Sequence, residues 1–132
     1  TLVCPDSHTC TQGAFGALAW GIGSTEAEHA MATGTLRMAR PKTMRVSFTG
    51  TLQPGVTAKD MILTLLARYG AGGGKGYAVE FAGDAVAALD LDGRQTLCNM
   101  AKPLTHGARF IATSARHLIE KLASMRQRSN RW

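Results

Sequence analysis

Three side chains able to do acid–base chemistry stand together near the start of the chain: Asp6, Ser7 and His8, within CPDSHTC. An imidazole with a carboxylate neighbour is a proton-handling pair. Such a triplet suits a loop at the mouth of a site that moves a proton on an anionic substrate. A hydrolase reading fits poorly, because the serine lies between the other two instead of on a Gly-x-Ser-x-Gly elbow. On an extended chain Asp6 and His8 would share a face, with Ser7 pointing away or standing at the strand's end. A plainer role for Asp6 and Ser7 is a solvated loop or the cap of a helix.

Two other constellations carry less. Cys4, His8, Cys10 and His29 could be imagined around a metal, but C-x3-H-x-C matches no common zinc spacing. Ordinary buried cysteines are the better reading. The glycine-rich run GAGGGKG invites a phosphate-binding reading. A Walker loop needs four residues between its first glycine and Gly-Lys-Ser/Thr. Here Gly70 and Gly74 are separated by three residues, and Gly76 stands where the hydroxyl belongs. A helix precedes this run and a strand follows it, the reverse of the Walker order, so a mobile connector is expected.

The elements that must position the triplet follow from pattern. TLV, before Cys4, reads as the last residues of a buried strand. Residues 13–22, GAFGALAWGI, are apolar nearly all round, as in a buried helix or closely packed backbone. STEAEHAMATG reads as a helix capped by Thr25, with Glu28 reaching back and Gly34 ending it. KTMRVSFTG alternates as a strand, and Pro54 and Gly55 mark a turn. TAKDMILTLLARYG is the clearest helix, with Thr57 as N-cap, Asp60 three residues on, and Gly70 as its stop. Its apolar face is Met61, Ile62, Leu65, Leu66 and Tyr69. A short strand, YAVEF, and helical stretches at DAVAAL and DLDGRQTLCNMA complete an alternation of helices and strands. That alternation predicts an α/β fold with some parallel pairing.

At 132 residues the chain is one domain's worth. No apolar run approaches the ~18 residues of a membrane span, and no basic n-region of a signal peptide is visible. Three cysteines at uneven spacing do not form a secreted disulfide framework. Reduced thiols in a cytoplasmic protein are expected. Residues 1–101 hold eight basic and eight acidic side chains, whereas residues 102–132 hold seven bases and one acid, Glu120; the second stretch supplies the whole net charge of +6. The chain therefore reads as a neutral body with a basic tail.

The blocks DSHT, GAFGALAWGIG, EAEHAMATGTL, PKTMRVSFTG, PGVTAKDMIL, GGGKGYAVEF and DGRQTLCNMA, in this order, resemble the large subunits of the 3-isopropylmalate dehydratases, within the aconitase superfamily. The resemblance runs from about Leu2 to Ala101. Homoaconitase and dimethylmalate dehydratase large subunits are near alternatives. The resemblance implies an aconitase-like layered α/β/α fragment, a hydro-lyase acting on 2-/3-isopropylmalate-type hydroxy-diacids in leucine biosynthesis, a small-subunit partner, and a [4Fe-4S] cluster. It implies catalytic roles for Asp6, Ser7 and His8, and a place beside the cluster, not as a ligand, for Asn99.

The chain also departs from the family. The cluster cysteines stand in later motifs that are absent here, so ligation is carried onto none of Cys4, Cys10 and Cys98, and no bound cluster is expected. The carboxylate that pairs with the DSH histidine follows CNMA in the family; here KPLTHGARF follows instead. A truncated or frame-disrupted subunit, inactive alone, is the expectation. Residues 1–101 would be the dehydratase part and 102–132 a tail foreign to it. In that tail Phe110, Ile111, Ala115, Leu118, Ile119, Leu122 and Met125 fall at helical spacing among basic residues. A C-terminal amphipathic helix is expected, and a non-enzymatic basic module binding anionic partners is the alternative. Nucleic-acid or membrane binding by the tail is not the favoured outcome.

Overall fold

The computed structural model of the chain describes residues 1–105 and 110–112. In chain order it has β1 (Leu2–Cys4), a 3-10 helix (Thr9–Phe15), β2 (Ala19–Gly21), α1 (Ser24–Thr33), β3 (Lys42–Ser47) and α2 (Ala58–Tyr69). There follow β4 (Tyr77–Ala82), α3 (Asp84–Ala87), α4 (Leu91–Met100), α5 (Lys102–Thr105) and β5 (Phe110–Ala112). Among the described residues all strand pairing is parallel: β1 with β2, and β3–β4–β5 with β4 in the middle. Parallel neighbours need long crossovers, and the 3-10 helix and α2 supply two of them. The mixed helices and small parallel sheets are those of the α/β fold with parallel pairing that the alternation predicts.

The central strand β4 is buried on both faces, which explains its nearly continuous apolar sequence. Val79 and Phe81 face Met61, Ile62 and Leu65 of α2 together with Leu97 and Cys98 of α4. Ala78 turns the other way, toward Leu18, Trp20, Ile22 and Ala27. Phe81 is completely buried, and its side chain contributes about 1.5–3 kcal/mol of transfer free energy. Glu80 is a buried carboxylate in the same strand. Its Oε1 lies 3.8 Å from Nε of Arg45, its register partner on β3.

The sequence pattern of α2 is realised at both ends. Asp60 Oδ2 accepts from the Thr57 backbone N–H at 2.8 Å and from the Thr57 hydroxyl at 2.6 Å. Gly70 closes the helix by donating its N–H to the Leu66 carbonyl. Met61, Ile62 and Leu65 are buried, Leu66 is half-buried, and Tyr69 is exposed at the end of the stripe. The bonds from the Thr57 hydroxyl and then its N–H hold the Asp60 carboxyl below its ordinary value. A depressed acid contributes stability that is present above the unfolded-state value and lost as pH falls through the folded one. Asp60→Asn should therefore flatten the acid side of the stability profile, measured as urea midpoints from about pH 6 to about pH 2.

Four expectations change. TLV does not lead into a buried strand, because Leu2 and Cys4 of β1 are exposed and Val3 is only half-buried. Residues 13–22 are not one helix. The 3-10 helix ends at Gly16, whose φ of 75° reverses the chain, and β2 follows. The start of α1 is held by Glu26 accepting from the Gly23 N–H at 3.0 Å, instead of by Thr25 and Glu28. The expected amphipathic helix over 110–125 does not begin as a helix, since Phe110–Ala112 form β5, in parallel register with Ala78–Glu80. The remainder of that expectation, from residue 113, lies outside the described residues.

Candidate active site

β1 ends at Cys4, and the chain turns through Asp6, Ser7 and His8 into the 3-10 helix. Asp6 shapes this turn, its Oδ1 accepting from the His8 N–H at 2.6 Å. That is the Asx-turn bond by which aspartate substitutes for a backbone turn. The Asp6 carbonyl accepts from the Thr9 hydroxyl at 2.6 Å, and the His8 carbonyl from the Thr11 hydroxyl at 2.7 Å. The three side chains are exposed, while Thr9 and Cys10 behind them are buried. Ser7 does not point away from its neighbour, since its Oγ lies 3.2 Å from His8 Nδ1.

The floor of the turn is β2. Cys4 is in register with Gly21, and the Ile22 N–H donates to the Cys4 carbonyl at 3.0 Å. A Cβ on Gly21 would overlap the Asp6 carbonyl oxygen and stand 3.2 Å from Ser7 Cα. The glycine in the apolar segment thus permits the reactive triplet to sit directly on the next strand.

From the far end of the described chain, α4 and α5 complete the site. Asn99 Nδ2 donates to Thr11 Oγ1 at 2.8 Å, so Asn99 is tied through Thr11 to the His8 carbonyl. Lys102 Nζ donates to Ser7 Oγ at 2.9 Å. The structure therefore brings Asp6, Ser7, His8 and Asn99 into one region. It adds Thr11 and Lys102, which sequence reasoning did not single out. Nothing local marks them, because both contacts join residues about ninety positions apart in the chain. With an ammonium and an imidazole beside a hydroxyl, the turn can hold an anionic oxygen and exchange a proton with it.

The cysteines do not join this chemistry. Cys10 and Cys98 are buried, with Cys10 Sγ 3.6 Å from the Cys98 carbonyl, and Cys4 is exposed. Burial pushes the Cys10 thiol up and the Cys98 thiol up much further. A cluster is held by several thiolates at once, and among the described residues these two buried thiols have no third candidate ligand grouped with them. Among the described residues no three histidine, cysteine or acidic side chains converge as a metal site. His29 is exposed on α1, and the imagined Cys4–His8–Cys10–His29 set is not assembled. Native-state alkylation should accordingly modify Cys4 quickly and spare Cys10 and Cys98 until denaturant is added. Intact-mass measurement would show one adduct first and three after unfolding.

The glycine run is more than a connector. The Gly72 N–H donates to the Pro103 carbonyl and the Gly74 N–H to the Leu104 carbonyl, both at 2.9 Å, so the loop docks on α5. These two donors are committed to protein, not available to a phosphate. An open groove of about 530 Å³ between β3 and α2, lined in part by Arg45, Arg68 and Tyr69, includes none of the triplet, Asn99 or Lys102.

The family model of the aconitase family (aconitate hydratase) matches residues 1–124. The match extends past Ala101, where the recognisable blocks end, and takes in α5 and β5. It covers the parallel sheets, the DSH turn and the helix that carries Asn99, and on that ground the chain belongs to the aconitase family.

Proposed function

We propose that this chain carries one acid–base edge of a 3-isopropylmalate dehydratase-type large subunit and does not turn over substrate by itself. The observation that supports this reading most strongly is the DSH turn. Its three side chains are presented outward, its backbone is seated on Gly21, and Asn99 is tied to it through Thr11. In this reading Ser7, His8 and Lys102 meet the oxygens of a hydroxy-diacid, and Asp6 keeps the turn in shape. The side chains present supply half of an acid–base site. The His8 ring nitrogen that is engaged contacts a hydroxyl, not a carboxylate, and the buried thiols are not grouped with other candidate ligands among the described residues. The substrate branch rests on GAFGALAWGIG and its companion blocks. A small subunit is the partner in this reading, and homoaconitase- or dimethylmalate-type substrates are the nearest competitors.

The test is a titration of the 15N-labelled chain with 2-isopropylmalate and, separately, with citrate. Isopropylmalate should shift the Ser7, His8 and Asn99 amides at lower concentration than citrate does. Equal or tighter response to citrate, or no response of these amides to isopropylmalate, would count against the assignment.

A further inference from the structure

We propose that Lys102 is a positioning residue for His8, and that through Ser7 it selects which imidazole nitrogen carries the proton. Lys102 Nζ lies 2.9 Å from Ser7 Oγ, and Ser7 Oγ lies 3.2 Å from His8 Nδ1. An ammonium group only donates, so Ser7 Oγ is the acceptor in the first contact. The hydroxyl has one proton of its own to place. A hydroxyl that already accepts from a cation is polarised into a better donor and a poorer acceptor. Its proton goes to His8 Nδ1, which must then be the bare nitrogen of the neutral ring. The ring proton sits on Nε2.

The His8 backbone is fixed independently of this relay. Its N–H donates to Asp6 Oδ1 and its carbonyl accepts from Thr11, which in turn accepts from Asn99. The Lys102–Ser7 pair is thus free to act on the side chain alone. The consequence for chemistry rests on the hydro-lyase reading: His8 faces a substrate oxygen as an Nε2–H hydrogen-bond donor, so it polarises that oxygen instead of abstracting a proton. Lys102 adds positive charge on the same side, as a hydroxy-carboxylate requires.

The experiment is a long-range 1H–15N correlation on the full 132-residue chain at a pH where imidazole is neutral, with His8 assigned by loss of its signals in His8→Gln. The native chain should show Nε2–H as the majority tautomer. Lys102→Glu reverses the polarity. The carboxylate accepts the Ser7 proton, Ser7 Oγ then accepts from Nδ1–H, and the majority tautomer switches to Nδ1–H. Lys102→Arg should retain the native pattern. Ser7→Ala cuts the connection, so adding Lys102→Glu to it should change nothing further. Lys102 is exposed, and a dispersed amide spectrum checks that each variant is folded. An unchanged tautomer in folded Lys102→Glu, or an identical switch in Lys102→Arg, would overturn the proposal. No substrate is used, so this outcome is independent of the substrate titration.

Discussion

Gly21→Ala is expected to unseat the Asp6–His8 turn while the main core stays folded. The added methyl would overlap the Asp6 carbonyl oxygen and approach Asp6 C and Ser7 Cα to 3.2 Å. Contacts that close force the backbone on one side to move. Gly21 lies between Trp20 and Ile22, both buried, and it is paired with Cys4, so β2 resists displacement. The turn is exposed and held by a few local bonds, so the turn yields. The Asp6 carbonyl also accepts from Thr9, so the start of the 3-10 helix moves with it. Overpacking of this kind costs about 1–3 kcal/mol. Amide shifts should change most over residues 5–11, and the isopropylmalate response of Ser7 and His8 should disappear. Retention of the native Ser7 and His8 shifts together with native stability would show that β2 is not the floor of the turn.

Gly83→Ala should have the larger effect on stability. Gly83 joins β4 to α3 with φ of +98°, where an L-residue is strained. Its Cβ would also overlap the Phe48 carbonyl oxygen and stand 2.8 Å from the Phe48 carbonyl carbon. That carbonyl already accepts from Ala85 N–H, and Phe48 N–H donates to Ala82. The two strand ends are therefore locked around the glycine, and neither side has room to give. Strain and overpacking together amount to about 2–6 kcal/mol, a large part of a typical domain's ~5–15 kcal/mol. A fall in melting temperature on the order of 10 °C or more follows. A melting temperature within a degree or two of the native chain would contradict the assigned geometry.

Much of this architecture is legible where one segment carries several agreeing signals. Thr57, Asp60, the apolar stripe and Gly70 all specify the same helix, and all appear in α2. The strands KTMRVS and YAVEFA are likewise found at β3 and β4. The misreadings occur where local signals are degenerate. From Gly23 to Glu26 the spacing is the same as from Thr25 to Glu28, and the bond needs only a backbone N–H at its first position, so sequence cannot choose. GAFGALAWGI has no period, because β2 is buried and short. Phe110–Ala112 is too brief to show a strand's alternation, and its pairing with β4 is a tertiary fact. The site divides in the same way. Asp6, Ser7 and His8 are adjacent and visible by type. Thr11 and Lys102 acquire their roles only when α4 and α5 fold back onto the 3-10 helix.

In the function proposed above, these residues hold the proton-handling edge of a dehydratase-type subunit without the donors that retain its metal. Anaerobic treatment of the 132-residue chain with iron and sulfide, in the presence of a dehydratase small subunit, tests it most directly. Iron and acid-labile sulfide would be quantified per chain, and conversion of 3-isopropylmalate to the unsaturated diacid followed by absorbance. Neither stoichiometric iron–sulfur nor product is expected. One cluster per chain, or unsaturated diacid formed at a rate proportional to the chain's concentration, would contradict it.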